Sequence, residues 1–277
     1  MLSGIGNSFQ LKKIGIEPVH DLPGVGQNLQ DHLLCAVQYE NTQAGFTLSH
    51  AQWTHNPLLM MKVQMDWFLF KRGWGATSHL EAGAFLKSDS SILHPNIQIH
   101  AFPGAVRTNG NEDLEVFLGM QMFVGTLRGK SRGSLKLKSK SPYESPIINP
   151  NYLNSEIDSR ELIEGIHIAR KIFSQKALVK VLGEELQPGS NLNSDHDLQG
   201  FIAAKAESSY HPCGTCRMGG AADSTVVDSR SMRVVGLQGL RVVDASVMPS
   251  ETSGNLNAPV LMIAEKAAHL ILGQSLH

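Results

Sequence analysis

Residues 96–104 (NIQIHAFPG) and 115–128 (EVFLGMQMFVGTLR) carry the clearest structural pattern in this chain, because apolar and polar side chains alternate along both. An alternation of period two is typical of a β-strand with one face in a core. Residues 79–88 (HLEAGAFLKS) and 132–139 (RGSLKLKS) have the same pattern, and Gly, Pro and Ser separate these segments. Together they predict an antiparallel sheet over about 76–138.

Helical spacing of apolar residues replaces the alternation on both sides of this region. Residues 50–72 predict a helix rich in Met and aromatic side chains, and residues 156–178 predict an amphipathic helix. A shorter helix is expected at 195–206, capped by Ser194 or Asp195. The predicted fold class is therefore α+β, with an antiparallel sheet of about six strands and flanking helices.

The C-terminal region has the layout of an α/β nucleotide-binding edge. The run LRVVDAS at 240–246 predicts a strand that ends in Asp244, and the polar loop SGNLNA follows at 253–258. Pro259 is expected at the first position of a helix over the apolar run VLMIAEKAAHLIL. A strand, a polar loop and a helix N-terminus in this order are typical of nucleotide binding.

Charge and hydropathy narrow the class of partner. The 277 residues include 24 Lys and Arg against 25 Asp and Glu, so no basic excess supports nucleic-acid binding. No stretch approaches the roughly 18 to 20 apolar residues of a membrane span, and the first residues lack a signal-peptide layout. We expect a soluble globular protein with a small-molecule partner, located in the cytoplasm or at the surface of the inner membrane.

Three cysteines, Cys35, Cys213 and Cys216, are too few for a disulfide framework. Cys213 and Cys216 have CxxC spacing, so a zinc site or a redox pair is an alternative to two small thiols in a loop. Zinc needs further ligands, and only His211 is near in sequence. The interpretation as two half-buried thiols is preferred, and no metal is expected.

A phosphate-binding glycine loop is not evident in this chain. Gly24 and Gly26 begin a GxG pattern, but Leu29 stands where a dinucleotide fingerprint has its third glycine. This run also fails to connect a strand to a helix, so it is a weak candidate for a phosphate cradle.

Three motifs near the C-terminus, in this order and spacing, resemble the signature of the glucose-methanol-choline (GMC) oxidoreductases. They are HPCGTCRMG at 211–219, GLRVVDASVMP at 239–249 and SGNLNAPVLMIAEKAA at 253–268. Within the family they are most similar to the choline dehydrogenase-like and alcohol dehydrogenase-like bacterial branch. Four further stretches agree with this resemblance, namely SGIG at 3–6, LPGVGQNLQDH at 22–32, SHLEAGAF at 78–85 and LRGKSRGSLKLKS at 127–139 leading into NPNYL.

The resemblance implies an FAD-dependent alcohol dehydrogenase. Such an enzyme oxidises a primary alcohol, choline-like or aliphatic, to an aldehyde by hydride transfer to flavin N5, and passes the electrons to a quinone or another acceptor. By resemblance, His211 is the catalytic base and Asn255 is its partner. An imidazole can take the hydroxyl proton near neutral pH, and an amide can bind the substrate oxygen without competing for that proton.

The resemblance also implies which residues hold FAD. Asp244 and Ala245 are expected near the ribityl and phosphate groups, with a turn or a helix cap as the structural alternative for Asp244. Asn257, Ala258 and Pro259 are expected to present a helix N-terminus to the pyrimidine edge of the flavin, where negative charge gathers on reduction. Glu81 is the candidate for contact with a cationic substrate head, against an ordinary exposed carboxylate.

The motifs divide the chain into three predicted parts. Residues 1–35 are expected to be a remnant of the FAD-binding domain, 36–207 the substrate-binding domain, and 208–277 the catalytic loop with the C-terminal strand and helix of the FAD domain. A full member of the family begins with a GxGxxG segment that this sequence lacks, so the isolated chain is expected to bind FAD poorly and to be inactive. Two other functions stay open: a flavin-scaffold lyase without net redox, and an inactive fragment that serves as a structural or binding module.

Overall fold

The computed structural model describes residues 1–42, 57–80, 82–108, 114–220 and 224–274. For residues 107–108 and 114–117 it describes the backbone alone. The chain divides into two units, each with its own set of elements. Unit 1 consists of Met1–Leu33, Leu127–Asp158 and Ser208–His277, and unit 2 consists of Leu34–Thr126 and Ser159–Glu207.

Helices and strands are numbered in chain order over the described residues. The helices are α1 Ser8–Lys13, α2 Pro57–Phe70, α3 Glu156–Phe173, α4 Lys176–Val179, α5 Asp195–Lys205 and α6 Asn257–Leu272. The strands are β1 Ile5–Gly6, β2 His20–Asp21, β3 Gln27–Leu29, β4 Leu33–Asn41, β5 Ala82–Leu86, β6 Ile97–Phe102, β7 Ala105–Thr108, β8 Leu114–Phe117, β9 Gly119–Thr126, β10 Gly133–Lys136, β11 Ile147–Asn149, β12 Leu182–Gln187, β13 Glu207–Ser208, β14 Met218–Gly219 and β15 Val227–Asp228.

Unit 2 is built on a six-stranded sheet. Its strand order is β12, β4, β9, β6 and β5, and the short β13 also pairs with β4. The neighbours along the main path are antiparallel, and β4 and β9 run in register from Leu34 opposite Gly125 to Glu40 opposite Gly119. The predicted α+β class with about six antiparallel strands is confirmed.

The amphipathic pattern of α3 places one stripe of the helix in the core of unit 2. Its buried side chains include Leu162, Ile166, Ala169 and Phe173. Gly165 lies so close to the sheet that an added Cβ would come within 2.4 Å of a Val124 methyl group. Helix and sheet therefore meet at a position where only hydrogen fits.

Unit 1 has smaller sheets and a separate hydrophobic core. An antiparallel sheet contains β11, β10 and β3, while β1 with β2 and β14 with β15 form parallel pairs. Helix α6 contributes Ile263 and Ala267 to a core that is shared with Val227, Val234 and Val247. The C-terminal helix is thereby fixed to the segments that follow Ser208.

Three details of the sheets differ from the sequence-based expectations. Strand β4 was not predicted, because LLCAVQYEN begins as a continuous apolar run with no clear alternation. Residues 132–139 do contain a strand, but β10 joins β3 and β11 and not the large sheet. Residues 240–246 are not a strand, since Arg241 makes only an isolated bridge, to Arg233, and a ladder needs a continuous partner.

The helix boundaries also differ in part. The predicted helix at 50–72 is observed as Pro57–Phe70, and residues 43–56 lie outside the described residues. The predicted helix at 156–178 ends at Phe173 and is followed by the short α4. Pro259 occupies the third position of α6 and not the first. Proline is tolerated at the third position as well, because no N–H of the first turn has an intrahelical partner.

Residues 127–158, which the sequence assigned to the substrate-binding domain, belong to unit 1. Strand β10 pairs with β3 there, and the buried Asp158 carboxylate accepts hydrogen bonds from the backbone amides of Lys130 and Ser131. Among the described helices, none is both long enough and apolar enough to cross a bilayer.

Candidate active site

Two loops of unit 1 are joined by backbone hydrogen bonds, and this pairing positions the candidate site. Gln30 and Cys213 exchange N–H···O bonds of 3.0 and 2.9 Å, and the Ser209 amide donates to the His32 carbonyl at 2.8 Å. The loop around Asn28–His32 therefore runs beside the loop that carries His211.

The side chain of Gln30 connects a third segment to these loops. Its Nε2 donates to the Pro249 carbonyl at 3.3 Å, and its Oε1 accepts from the Glu251 amide at 3.2 Å. Gln30 is 3% exposed, so both ends of its amide are satisfied inside the protein. The segment that precedes α6 is thus held against the two loops.

Asp31 fixes the backbone at His211. Its Oδ1 accepts from the His211 amide at 3.0 Å, while its Oδ2 accepts from the Tyr152 hydroxyl at 2.5 Å and from the Ser208 hydroxyl. A carboxylate with this many donors is held firmly in one position. The His211 side chain therefore starts from a well-defined backbone position.

His32 and His211 meet at their Nδ1 atoms, which are 3.0 Å apart, with the two rings at 87° to one another. On the far side of His32, Nε2 lies 2.9 Å from the Thr252 carbonyl and 3.2 Å from the Leu127 carbonyl. Carbonyl oxygens only accept, so Nε2 of His32 must carry the hydrogen, and Nδ1 of a neutral His32 must accept. His211 then donates from Nδ1, and its Nε2 carries the lone pair.

The protonation states agree with this assignment. Burial lowers the pKa of His32, which is 4% exposed, and the neighbouring His211 lowers it further. Burial also lowers the pKa of His211, with partial opposition from the Asp31 carboxylate. Both imidazoles are therefore neutral near pH 7, as a donor-acceptor pair requires.

Asn255 stands on the other side of His211. Its Nδ2 lies 3.4 Å from Nε2 of His211, at the long end of hydrogen-bond distance. Asn255 is exposed and His211 is half-buried. A lone pair and an amide donor thus face the same accessible space.

Glu251 is a buried carboxyl behind His32 that sequence reasoning did not select. Its Oε1 accepts from the Gly129 amide at 2.6 Å, and its Oε2 lies 3.8 Å from Nε2 of His32. That Oε2 atom has no hydrogen-bond partner among the described residues. Burial raises the pKa of Glu251 to about 7, with the Gly129 amide opposing the rise.

Asp244 and Ala245 line a pocket of about 350 Å³ in unit 1. Its other lining residues are Leu29, Leu135, Ile148, Pro212, Cys213, Thr215 and Ser246. Asp244 also caps the short 3₁₀ helix Ala245–Val247, because its Oδ1 accepts from the Ser246 amide at 2.8 Å. The capping alternative for Asp244 is therefore observed, and its second oxygen is not needed for the cap.

The N-terminus of α6 has no side-chain cap. Its N-cap residue is Leu256, and no acidic side chain lies in its first turn. Asn257 and Ala258 are exposed at this end, and Pro259 has no N–H to offer. The first-turn amides of Asn257 and Ala258 have no partner within the helix and lie at the positive end of this 16-residue helix.

The remaining candidates contribute less. Glu81 lies outside the described residues, next to the start of β5. Cys213 and Cys216 are free thiols, and burial raises the pKa of Cys213 to about 12 and also raises that of Cys216, the opposite of a reactive redox pair. Within the described ranges, no three His, Cys, Asp or Glu side chains gather as metal ligands would.

His32 is not among the site residues selected from the sequence, and nothing in the spacing of the sequence marks it. His32 lies 179 positions before His211 and 219 positions before Glu251, so neither contact leaves a local pattern. One signal was present: NLQDH at 28–32 belongs to a stretch that resembles the GMC family.

The comparisons with known proteins agree with this arrangement of motifs. Residues 129–264 match the family model described as GMC oxidoreductase. The whole chain is also similar to full-length relatives, with 48% identity to human mitochondrial choline dehydrogenase over 274 residues. The chain is therefore similar to GMC oxidoreductases in sequence. Of the two units, unit 1 carries the motifs on which the family resemblance was based.

This chain spans about half the length of the curated relatives that it matches. The human enzyme is covered over 45% of its length and this chain over 99%. The oxygen-dependent choline dehydrogenase of Brucella anthropi is 44% identical over 275 residues, which cover 99% of this chain and 49% of that protein.

Solved structures show the same fold and the same partial coverage. Pyridoxine 4-oxidase from Mesorbium loti superposes with a TM-score of 0.81 at 28% identity, over 99% of this chain and 49% of that one. A formate oxidase of Aspergillus oryzae gives a TM-score of 0.85 at 24% identity, over 98% of this chain and 51% of that one, and shows the fold alone.

Proposed function

We propose that the protein containing this chain oxidises a primary alcohol, choline-like or aliphatic, to an aldehyde with FAD as cofactor. The observation that carries the proposal is the lone pair on Nε2 of His211, which His32 directs outward on one side and which the Asn255 amide contacts at 3.4 Å on the other. Removal of a hydroxyl proton needs this combination of a neutral base and an amide donor. The names of the choline dehydrogenases that the chain resembles support the same reaction.

The residues present fit a cofactor that carries phosphate groups and gains negative charge on reduction, such as FAD. The uncapped N-terminus of α6 offers the amides of Asn257 and Ala258, and Pro259 sets the start of the helix without adding a competing group. The pocket beside Asp244 and Ala245 offers a carboxylate oxygen and a backbone amide for hydroxyl groups. When bound, FAD supplies the two-electron acceptor for the hydride that leaves the alcohol carbon.

The roles of the protein groups follow from their positions. Nε2 of His211 accepts the hydroxyl proton, and the amide of Asn255 donates a hydrogen bond to the same oxygen as its negative charge grows. Asp31 keeps His211 in place through its backbone amide. Each group is neutral or paired before substrate arrives, so little rearrangement is needed.

The test uses the full-length, flavin-loaded protein mixed anaerobically with choline or with an aliphatic primary alcohol. Loss of the oxidised flavin absorbance is expected, and His211→Ala should slow it by about two to four orders of magnitude. His196→Ala on the exposed face of α5 serves as the control. Aldehyde chemistry without flavin bleaching would instead indicate a lyase, and no reaction at all would indicate a structural or binding module.

Two finer assignments belong to the same proposal. Glu81 is proposed to meet a cationic substrate head, so Glu81→Gln should raise the KM for choline and leave that for an aliphatic alcohol unchanged. A quinone or another carrier is proposed as electron acceptor. Reoxidation by a soluble quinone analogue should then be faster than by oxygen, and the reverse order would favour the behaviour named for the Brucella relatives.

A further inference from the structure

Behind the proposed base lies a buried chain of three groups that runs from His211 through His32 to Glu251. His32 bridges the other two, with Nδ1 at 3.0 Å from His211 and Nε2 at 3.8 Å from the Glu251 carboxylate. His32 and Glu251 are 4% and 6% exposed. A carboxyl group at this depth without a full set of partners needs an explanation, because burying a charge is costly.

Burial keeps His32 neutral at rest, yet its Nε2 faces more acceptors than one neutral N–H can satisfy. This nitrogen faces the carbonyls of Leu127 and Thr252 as well as the carboxylate of Glu251, so three oxygens converge on one N–H. A neutral imidazole satisfies one such acceptor well. A positive charge on His32 would be stabilised by all three, and most strongly by the carboxylate.

We propose that Glu251 is a positioning residue that acts through His32, stabilising positive charge on His32 when His211 accepts the substrate proton. The proposal rests on the function proposed above, in which His211 is the base. As Nε2 of His211 gains the hydroxyl proton, its Nδ1 hydrogen passes to Nδ1 of His32. His211 is again neutral, and His32 becomes the imidazolium opposite the Glu251 carboxylate, so one proton and one positive charge are conserved.

The charge state of Glu251 depends on several neighbours. The Gly129 amide and the Arg132 guanidinium favour its ionised form, whereas Asp31 and Asp158 favour its protonated form, as does burial. Tyr152 and Cys213 also sense its charge. Because the pKa of Glu251 lies near 7, the charge that assists His32 is lost as the pH falls through neutrality.

Two measurements test this inference, and the first needs no catalysis. In the chain itself, the ¹⁵N resonances of the His32 ring should show an inflection near pH 7 that is absent in Glu251→Gln. The same spectra should show His211 protonated at Nδ1 and His32 at Nε2. An unchanged His32 titration in the variant, or His211 protonated at Nε2, would overturn the inference even if the full-length protein oxidises alcohols.

The second measurement follows flavin reduction in the full-length protein as a function of pH. The wild-type rate should fall on the acid side with an apparent pKa near 7. In Glu251→Gln that limb should move to lower pH, toward the depressed pKa of His211, and the limiting rate should drop about tenfold or more.

Glu184→Gln, which removes an exposed carboxylate of β12 in unit 2, is the control and should leave the profile in place. If His211→Ala retains the wild-type rate, the proposed function fails. If His211→Ala is inactive and the Glu251→Gln profile equals that of the wild type, only the role of Glu251 fails.

Discussion

The Nδ1 atoms of His32 and His211 lie 3.0 Å apart, and the other ring nitrogen of His32 is committed to two backbone carbonyls. The contact therefore has a direction, from His211 to His32, and leaves the lone pair of His211 on the outer nitrogen.

Replacing His32 with Phe should remove this direction while keeping a buried ring. His211 would then populate both tautomers, and flavin reduction in the full-length protein should slow by about 10- to 100-fold, the range for losing a group that orients a functional imidazole. ¹⁵N spectra of the His211 ring should show the mixed tautomer. A variant with wild-type rate and an unchanged tautomer would show that the His32 contact has no such role, and His196→Phe is the surface control.

Asn255→Asp should change the pH dependence as well as the rate. A carboxylate beside Nε2 of His211 favours the imidazolium, so the pKa of His211 rises and less neutral base is present at a given pH. The acid limb of kcat/KM should move to higher pH by about one unit or more. Asn255→Ala, which removes the amide without adding charge, should lower the rate and leave the limb where it is.

Glu251 also makes a prediction about stability. Its pKa is raised in the folded protein, so its favourable contribution is complete below its unfolded pKa and is lost as pH rises through about 7. Glu251→Gln should therefore gain stability relative to wild type as the pH rises from 4.5 to about 7, by about 3 kcal/mol at most. Denaturant unfolding at several pH values measures this, and a constant difference would contradict it.

Substitutions at two helical glycines test how closely α3 packs on the sheet of unit 2, because only one of the glycines lies at that contact. Gly165→Ala should destabilise the fold by about 1–3 kcal/mol, because the new Cβ meets Val124 at 2.4 Å and Ile97 at 3.4 Å. Gly200→Ala on the exposed side of α5 meets no atom within 4 Å and should stabilise by about 0.5–1 kcal/mol. Denaturant midpoints of the pair give the comparison, and equal shifts would contradict the packing.

The buried ion pair of unit 2 gives a last prediction. Arg170 holds Glu185 with three N–H···O contacts between 2.7 and 3.1 Å, and also donates to the carbonyls of Gly189 and Leu192. Arg170→Leu should cost about 3–5 kcal/mol, since Glu185 is left buried without its cation. The double variant with Glu185→Leu should recover part of this loss. An additive result in the double-mutant cycle would show that the two side chains do not interact.

Local patterns explain why much of the fold was predictable. The alternation at 97–102 and 119–126 gave β6 and β9, and the stripe from Leu162 to Phe173 gave α3. Each of these signals lies within a single element. The pairing of β10 with β3 and the membership of residues 127–158 depend on contacts across more than 100 positions, which periodicity does not record.

The residues of the candidate site also fall into two groups, those that lie inside a motif and those that are brought together only by the fold. His211 and Asn255 lie inside motifs, so the resemblance identified them, and the structure places them 3.4 Å apart. His32 and Glu251 take their importance from a meeting of three distant segments. Asp244 shows why both of its predicted uses stay open, because one carboxylate caps a turn and also lines a pocket.

The amide of Gln30 joins segments that the ribosome makes far apart in time. Its two partners at Pro249 and Glu251 follow it by about 220 residues. These hydrogen bonds can therefore form only after nearly the whole of this sequence has been synthesised. Until then, the ring of His32 lacks its Thr252 acceptor. A nascent chain that stops short of these residues therefore lacks the contacts on which the proposed proton transfer depends. The reactive imidazole is assembled only at the end of folding.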